Sequence, residues 1–230
     1  MRGLTLIAAA GLLAAPLVFA DLPAVRADGI ETGLAGSMKF PVTSMRARPF
    51  KTVVMQQYDF SCGAAVVATM LTHHYGVKTS ESTVFKAMYG AGDKAVIRQN
   101  GFSFLDMKSY FKSIGMRADG FDLTLDDLQE LGVPAITLIS LNGYKHFVLI
   151  KGIKDQRVLV ADPAFGTLSM DRAKFDSIRE SIVLIIRNKA TVGRKHFNQV
   201  AEWGVKPAAP LKDGVARNST MYIDMFGNTW

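Results

Sequence analysis

The chain has 230 residues, of which 49% are hydrophobic and 20% are charged, and its 27 basic and 20 acidic side chains give a formal net charge of +7. This length is enough for one domain with its own core, and a single cysteine excludes an intramolecular disulfide. The basic residues are scattered rather than clustered on one face, so we expect no nucleic-acid partner.

The first 20 residues have the features of an export signal. Arg2 gives a positive start, an apolar run extends from Leu4 to Ala20, and Val18-Phe19-Ala20 has the small residues of a cleavage site. We therefore predict cleavage after Ala20, a periplasmic mature protein and no membrane span in that mature chain.

Helices are predicted for the first half of the chain, after a lead-in segment. Residues 21–51 have no sustained hydrophobic period and contain several prolines and glycines, so we interpret them as an extended lead-in before a domain over residues 52–188. Asp59 or Ser61 is available as N-cap of the first helix, and Gly76 ends it. The predicted helices are Cys62–Tyr75, Glu81–Met88, Ser103–Ser113, Leu125–Leu131 and, later in the chain, Asp171–Asp176.

Strands are predicted for the second half of the chain. Short runs of Val, Ile and Leu bounded by turn residues are typical of strands. Such runs lie at Val133–Leu141, His146–Ile153, Arg157–Ala161 and Ile182–Arg187. Helices followed by strands indicate an α+β domain, with N-terminal helices packed on one C-terminal antiparallel sheet. Residues 189–230 contain isolated aromatic residues and form a C-terminal extension, which is either a packed arm or a recognition segment.

Cys62 lies at the predicted start of the first helix. The orphan backbone N–H groups and the dipole of a helix stabilise an anion there, which favours a thiolate, and Gly63 allows backbone or substrate to approach closely. A thiolate alone does not hydrolyse a peptide, because the leaving amine must be protonated and the oxyanion must be held. The chemistry therefore requires a histidine, a group that orients it and an oxyanion donor.

Among the four histidines, His146 fits this requirement best. His73 and His74 lie at the far end of the helix that begins at Cys62, roughly 16 Å along its axis at about 1.5 Å per residue. We expect both to stabilise that end of the helix as cations. His196 lies in the C-terminal extension, outside any strong strand pattern.

Asp162 is the predicted partner of His146. His146 opens one predicted strand and Asp162 follows the next one, with a short turn between the strands. If these strands form a hairpin centred near residue 154 or 155, His146 faces Asp162 directly or diagonally. Such pairs have Cβ atoms about 4.5 to 8 Å apart. That separation permits a hydrogen bond that holds the imidazole in one tautomer and stabilises its charged form.

The segment from Gln56 to Gly63, the later His146-Phe147-Val148 and the pair Asp162-Pro163 together resemble the papain-like C39 peptidases, which process bacteriocin leaders. The resemblance covers roughly residues 53–187 and implies a papain-like cysteine peptidase fold. It also implies that Cys62 is the nucleophile, His146 the base, Asp162 its orienting group and Gln56 the oxyanion donor.

Two positions near Cys62 need comment within this resemblance. Gln57 competes with Gln56 as the oxyanion donor, and the spacing to the cysteine in the family favours Gln56. Ser61 stands where many members have aspartate. We identify neither transmembrane helices nor a Walker A loop, so the coupling of cleavage to export found in transporter-linked members is open here.

The resemblance also suggests a substrate. Family members typically cut after a Gly-Gly pair that ends a leader, so an exported double-glycine protein is expected. A stand-alone exported form is similar to the C39 protease that accompanies functional-amyloid secretion systems. We therefore expect a biofilm or amyloid subunit as substrate, and contact with a secretion system.

Two other functions stay open at this point. The fold could serve as a peptide-binding or chaperone module of a secretion apparatus that holds leaders without cutting them. Transglutaminase or acyltransferase chemistry uses a similar order of Cys, His and Asp with an acceptor other than water. No cofactor is expected, and one cysteine with widely spaced histidines offers no ligand cluster of the zinc type.

Overall fold

A computed structural model describes residues 48–58, 60–141 and 144–204. The predicted signal peptide, residues 21–47 of the lead-in segment and residues 205–230 of the C-terminal extension lie outside this range. No helix among the described residues is long and apolar enough to cross a membrane.

Helices form the first half of the described chain. They are α1 (Cys62–His74), α2 (Glu81–Ala91), α3 (Lys94–Asn100) and α4 (Phe104–Ser113), after a short 3-10 helix at Arg48–Phe50. Side-chain caps fix the starts of α2, α3 and α4, where Ser80, Asp93 and Ser103 accept backbone N–H groups of the first turn. The predictions for α1, α2 and α4 are confirmed to within three residues. Helix α3 was not predicted, because it buries only Ile97 and so lacks an apolar period.

The second half of the described chain alternates strands and short helices. Its strands are β1 (Ala118–Asp122), β2 (Ala135–Leu141), β3 (Tyr144–Lys154), β4 (Arg157–Asp162), β5 (Gly166–Asp171) and β6 (Arg179–Ile186). Its helices are α5 (Leu125–Leu131), α6 (Arg172–Ile178) and α7 (Ala190–Lys195), with a second 3-10 helix at Val200–Glu202. The prediction for α5 is confirmed residue for residue, and Asp171, predicted as the first residue of α6, is instead its N-cap.

The strands form one antiparallel sheet in the order β1-β6-β2-β3-β4-β5. The predicted strands are its central ones, β2, β3, β4 and β6, and the α+β class is confirmed. The edge strands β1 and β5 were not predicted. An edge strand buries fewer side chains, and β1 buries only Ala118, so the apolar pattern that marks a strand is weak there.

Helix α1 is the centre of the core on one face of the sheet. All its side chains except Thr72 and His73 are buried, and it packs with α2, α4 and β3 in one apolar cluster. Burying a large apolar side chain such as Met70 or Leu71 contributes about 1.5–3 kcal/mol. The other face of the sheet packs with α5 and α6 in a second cluster, which includes Phe175. The sheet therefore lies between two helical layers, and α1 is fixed firmly enough to position its first residue, Cys62.

The first part of the C-terminal extension is packed against this domain. Phe197 is buried in the second apolar cluster. Gly193 lies so close to Tyr75 that a Cβ atom on it would be 2.6 Å from the Tyr75 Oη. Residues 190–204 therefore form a packed arm, which is one of the two alternatives predicted for the C-terminal extension.

Candidate active site

The hairpin of β3 and β4 brings His146 and Asp162 together. Leu149 pairs with Ala161 and Ile150 with Val160, so Asp162 lies diagonally across from His146, on the same face of the hairpin. The His146 Nε2 is 3.0 Å from the Asp162 Oδ1. Their side chains are only 7% and 6% exposed. Of the direct and the diagonal arrangement that the sequence allowed, the register gives the diagonal one.

The turn after β4 holds the Asp162 carboxylate in place. Besides His146, its Oδ1 accepts the backbone N–H groups of Ala164 at 2.7 Å and Phe165 at 3.2 Å. A carboxylate only accepts hydrogen bonds, so His146 must donate from Nε2. The carboxylate thereby selects which ring nitrogen carries this proton and how the ring is turned.

His146 is held as a cation by its neighbours. Burial lowers its pKa, but hydrogen bonds from the ring to Asp162 and to the Cys62 thiol, with the charges of both groups, raise the pKa to about 10. The second ring nitrogen, Nδ1, is buried and has no hydrogen-bond partner of standard geometry among the described residues. It is therefore the nitrogen available to the thiol.

Cys62 is the first residue of α1 and is 7% exposed. Ser61 occupies the N-cap position as predicted, but its hydroxyl donates to the carbonyl of Tyr58 and accepts the Tyr58 N–H instead of capping the helix. The other predicted cap, Asp59, lies outside the described residues. The Ser61 hydroxyl thus does not cap the first N–H groups of α1, and N–H groups at the start of a helix can hold a developing negative charge beside Cys62.

Gly63 has a different role from the one expected. A Cβ atom at this position would lie 2.9 Å from the Met107 Cε and 3.0 Å from the Phe102 Cβ. Its missing side chain allows α1 to approach α4 and Phe102, which lies two residues before that helix. The close approach that Gly63 permits is therefore to the protein's own core.

The segment before α1 is anchored to both sides of the site. The Val54 N–H donates to the Thr69 Oγ1 on α1 at 2.9 Å. The Gln56 N–H donates to the carbonyl of Pro163 at 3.0 Å. Since Pro163 directly follows Asp162, the backbone of Gln56 is tied to the turn that orients His146.

Gln56 and Gln57 point to different environments. Gln56 is half-buried, and its Oε1 is buried without a hydrogen-bond partner among the described residues. Gln57 is exposed, and its backbone N–H donates to the Glu81 Oε1 at 3.2 Å. An oxyanion donor must present its amide N–H group in a site shielded from water, so the half-buried Gln56 suits this role better than the exposed Gln57.

The remaining histidines lie away from this site, and the prediction that His73 and His74 are cations is wrong. Burial and the charge of Lys151 lower the pKa of His74 to about 3. The same causes, in the same order, lower the pKa of His73 below its usual value. Neither is a cation that stabilises the end of α1, because the cost of burying a charge exceeds what a helix terminus returns. His196 is the C-cap of α7.

Tyr144, which lies beside His146, was not predicted to be near the site. The two rings are stacked with centroids 6.1 Å apart, and Tyr144 is 45% exposed. The signal was present in the sequence, because residues two apart on a strand share a face. Among the described residues, no group of three or more His, Cys, Asp or Glu side chains could hold a metal ion.

Comparison with known proteins shows the family of the chain. The model of the Peptidase C39 family matches residues 51–191, which is more than half of the chain. The chain belongs to the Peptidase C39 family. Its fold is the papain-like fold of that family of cysteine peptidases.

Two curated relatives are the probable functional amyloid proteases FapD of Pseudomonas aeruginosa and Pseudomonas fluorescens. The first is 45% identical over 125 residues, which cover 54% of this chain and 55% of the relative. The second is 41% identical over 134 residues, which cover 58% and 59%. The chain thus matches a little over half the length of these relatives.

A solved structure with the same fold is the peptidase domain of Streptococcus ComA, a bifunctional ABC transporter involved in a quorum-sensing pathway. It is 18% identical, with a TM-score of 0.51, and the match covers 59% of this chain and 96% of that domain. At this identity the likeness supports the fold alone.

Proposed function

We propose that the chain is an exported cysteine endopeptidase in which Cys62 is the nucleophile, His146 the acid–base group and Asp162 the residue that orients it. The observation that carries this proposal is the buried imidazole of His146. It hydrogen-bonds Asp162 at 3.0 Å on one side and has the Cys62 thiol beside it on the other. This is the arrangement that nucleophilic catalysis by a thiol needs.

The first chemical step is acylation of Cys62. His146 takes the proton of the Cys62 thiol, and the sulfur attacks the carbonyl carbon of the scissile peptide bond. The oxyanion that forms is held by the Gln56 side-chain amide and the Cys62 backbone N–H. The imidazolium of His146 then gives its proton to the leaving amine, the C–N bond breaks, and a thioester on Cys62 remains.

Hydrolysis of the thioester completes the cycle. The neutral imidazole of His146 takes a proton from water, and the oxygen of that water attacks the thioester carbonyl in the same oxyanion site. When the C–S bond breaks, a free carboxyl terminus leaves and Cys62 returns as a thiolate paired with imidazolium. Asp162 keeps its charge throughout and holds the ring in one orientation.

The proposed substrate is an exported protein of a functional-amyloid or biofilm system, cut after a Gly-Gly pair. Support for the system comes from the relatives, whose names describe probable functional amyloid proteases. Support for the Gly-Gly pair comes from the resemblance to the family that processes bacteriocin leaders. The proposed location is the periplasm, after removal of residues 1–20.

The test is to incubate purified residues 21–230 with proteins exported by the host and to map new termini by mass spectrometry. Cys62→Ala is the matched control, because it removes the thiol and leaves the rest of the helix unchanged. We expect cuts that depend on Cys62 and follow small residues. Exported proteins that bind both forms and stay intact would instead support a peptide-binding module, and an amine adduct in place of a free carboxylate would support acyl transfer.

A further inference from the structure

Residues 190–204, here called the C-terminal strap, extend beyond residue 191, where the match to the family ends. The Asn198 N–H donates to the carbonyl of Lys151 at 2.9 Å, and its side-chain Nδ2 donates to the carbonyl of Ile153 at 3.0 Å. Asn198 adopts a left-handed φ of 58° to make these bonds. A Cβ atom on Gly152 would be 2.3 Å from the Asn198 Oδ1, so the strap is held in one register against β3.

The strap places a carboxylate on a fully buried lysine. Lys151 is 0% exposed, and its Nζ is 2.7 Å from the Glu202 Oε2. The same Nζ donates to the Thr52 Oγ1 at 2.7 Å. Burial lowers the pKa of Lys151, and the Glu202 carboxylate opposes that effect. A buried ammonium group needs such a partner to stay charged.

The other titratable groups around Lys151 cannot replace Glu202. His73 and His74 lie near it and lose their protons easily, since burial and the charge of Lys151 both lower their pKa values. They carry no negative charge. In the described part of the chain, Glu202 is the one carboxylate that forms an ion pair with Lys151.

Thr52 begins the segment that ends at Gln56, so the Lys151 ammonium group holds one end of that segment. The hydrogen bonds of Val54 to Thr69 and of Gln56 to Pro163 hold the rest of it. We infer that Glu202 is a positioning residue for the oxyanion side of the active site, acting through Lys151 and Thr52 on Gln56. This inference rests on the proposed role of Gln56.

The first test changes Thr52 to Val, which removes the hydroxyl that Lys151 binds and leaves the Lys151–Glu202 pair intact. The probe is p-nitrophenyl acetate, whose hydrolysis needs the nucleophile and the oxyanion site but no peptide recognition. We expect kcat to fall by about tenfold with KM little changed, since small misplacements are costly in catalysis. The rate of alkylation of Cys62 by iodoacetamide should stay the same, because Cys62, His146 and Asp162 keep their contacts.

A double-mutant cycle tests whether the effect passes through Gln56. Gln56→Ala alone should lower kcat by about 10²–10³, the usual loss for one oxyanion donor. Thr52→Val should then cause no further loss in the Gln56→Ala background. If Gln56→Ala has no effect, the proposed role of Gln56 is wrong. Two results would overturn the positioning role of Glu202 when Gln56→Ala does lower kcat. One is that Thr52→Val leaves kcat unchanged, and the other is that the two kcat losses add in the double variant.

Substitutions in the Lys151–Glu202 ion pair show whether Glu202 positions the active site or only stabilises the fold. Glu202→Gln leaves the Lys151 charge without a partner, and we expect a Tm lower by about 10 °C together with a loss of kcat. In the double variant Lys151→Met/Glu202→Leu, apolar side chains replace the pair and should restore the Tm. Its kcat should stay as low as that of Thr52→Val. Recovery of kcat together with the Tm would mean that Glu202 acts on stability alone, and would overturn the inference.

Discussion

At the residue scale, the electrostatics of the site depend on His146. A buried imidazole would ordinarily be neutral, yet the Asp162 carboxylate and the Cys62 thiol raise the pKa of His146 to about 10 against the effect of burial. The charged ring is the form that keeps a neighbouring thiolate and protonates the leaving amine. The pH dependence of kcat/KM should therefore change when Asp162 is substituted.

We expect Asp162→Asn to move the alkaline limit of kcat/KM to lower pH. The variant removes the negative charge and the acceptor that raise the pKa of His146, while the effect of burial stays. At pH 8 we expect kcat/KM to fall by about tenfold or more. The measurement is the pH profile of kcat/KM, with Asp176→Asn as control because that carboxylate is half exposed and paired with Arg179 at the surface. An unshifted alkaline limit in Asp162→Asn would contradict the assignment.

The raised pKa of His146 should also make the folding stability depend on pH, in a direction that can be stated. The pKa of His146 is raised from 6.5 to about 10 in the folded chain, so its protonation stabilises the fold fully below about pH 6.5. That contribution is lost as the pH rises through about 10. We expect the Tm of the wild type to fall between these values more steeply than the Tm of Asp162→Asn. Parallel Tm curves for the two proteins would count against a raised pKa.

The sequence predicted which of the candidate side chains lie together better than it predicted their surroundings. Asp162 could be paired with His146 because a short hairpin turn fixes which positions are near each other. The contact of the Pro163 carbonyl with Gln56 and the burial of His74 depend on how distant segments pack. No local pattern encodes those contacts, so they could not be predicted.

At the element scale, the sheet explains which parts of the fold were predictable. β3 and β4 cross the centre of the sheet and are buried over most of their length, so they show as continuous apolar runs. β1 lies at one edge and buries only Ala118. β5 lies at the other edge, and the side chains that it buries, Thr167 and Ser169, are polar. α3 is a short helix with one buried side chain. Elements that bury few apolar side chains leave little pattern in the sequence.

We expect Gly166→Ala to lower the free energy of unfolding by about 2 kcal/mol or more. Gly166 has a φ of +85°, and a Cβ atom there would lie 2.5 Å from the Pro49 Cβ and 2.7 Å from its carbonyl oxygen. This residue starts β5 directly after the turn that holds Asp162. The measurement is unfolding in urea.

Gly90→Ala is the matched control for this prediction. Gly90 lies inside α2 with nothing within 4 Å of a Cβ atom, so alanine should stabilise the chain by about 0.5–1 kcal/mol. If Gly166→Ala were as stable as the wild type, the close contact between β5 and the 3-10 helix at Arg48–Phe50 would be wrong.

At the scale of the whole molecule, the domain is closed by segments from both ends of the described chain. Residues 48–58 contribute Thr52 and Gln56, and the C-terminal strap contributes Phe197, Asn198 and Glu202. The sequence predicted the domain from its central helices and strands, but not that the strap would place a carboxylate on buried Lys151. A buried ion pair between distant segments has no local signature.

We expect the chain to be processed after Ala20 when it is made in a Gram-negative host. The intact mass of the periplasmic protein should correspond to a chain that starts at Asp21. Leu12→Arg places a charge in the apolar run and should keep the precursor in the cytoplasm at full length. Mature protein with another start, or equal export of both forms, would contradict the predicted signal.

Hydrolysis of a peptide with an internal Gly-Gly pair in ¹⁸O-labelled water, by the wild type and by Cys62→Ala, decides whether Cys62 is the nucleophile of a peptidase. We expect the wild type to release a fragment that ends in Gly-Gly and carries ¹⁸O in its new carboxylate, and Cys62→Ala to release none. Cleavage that persists in Cys62→Ala would show that the nucleophile is elsewhere.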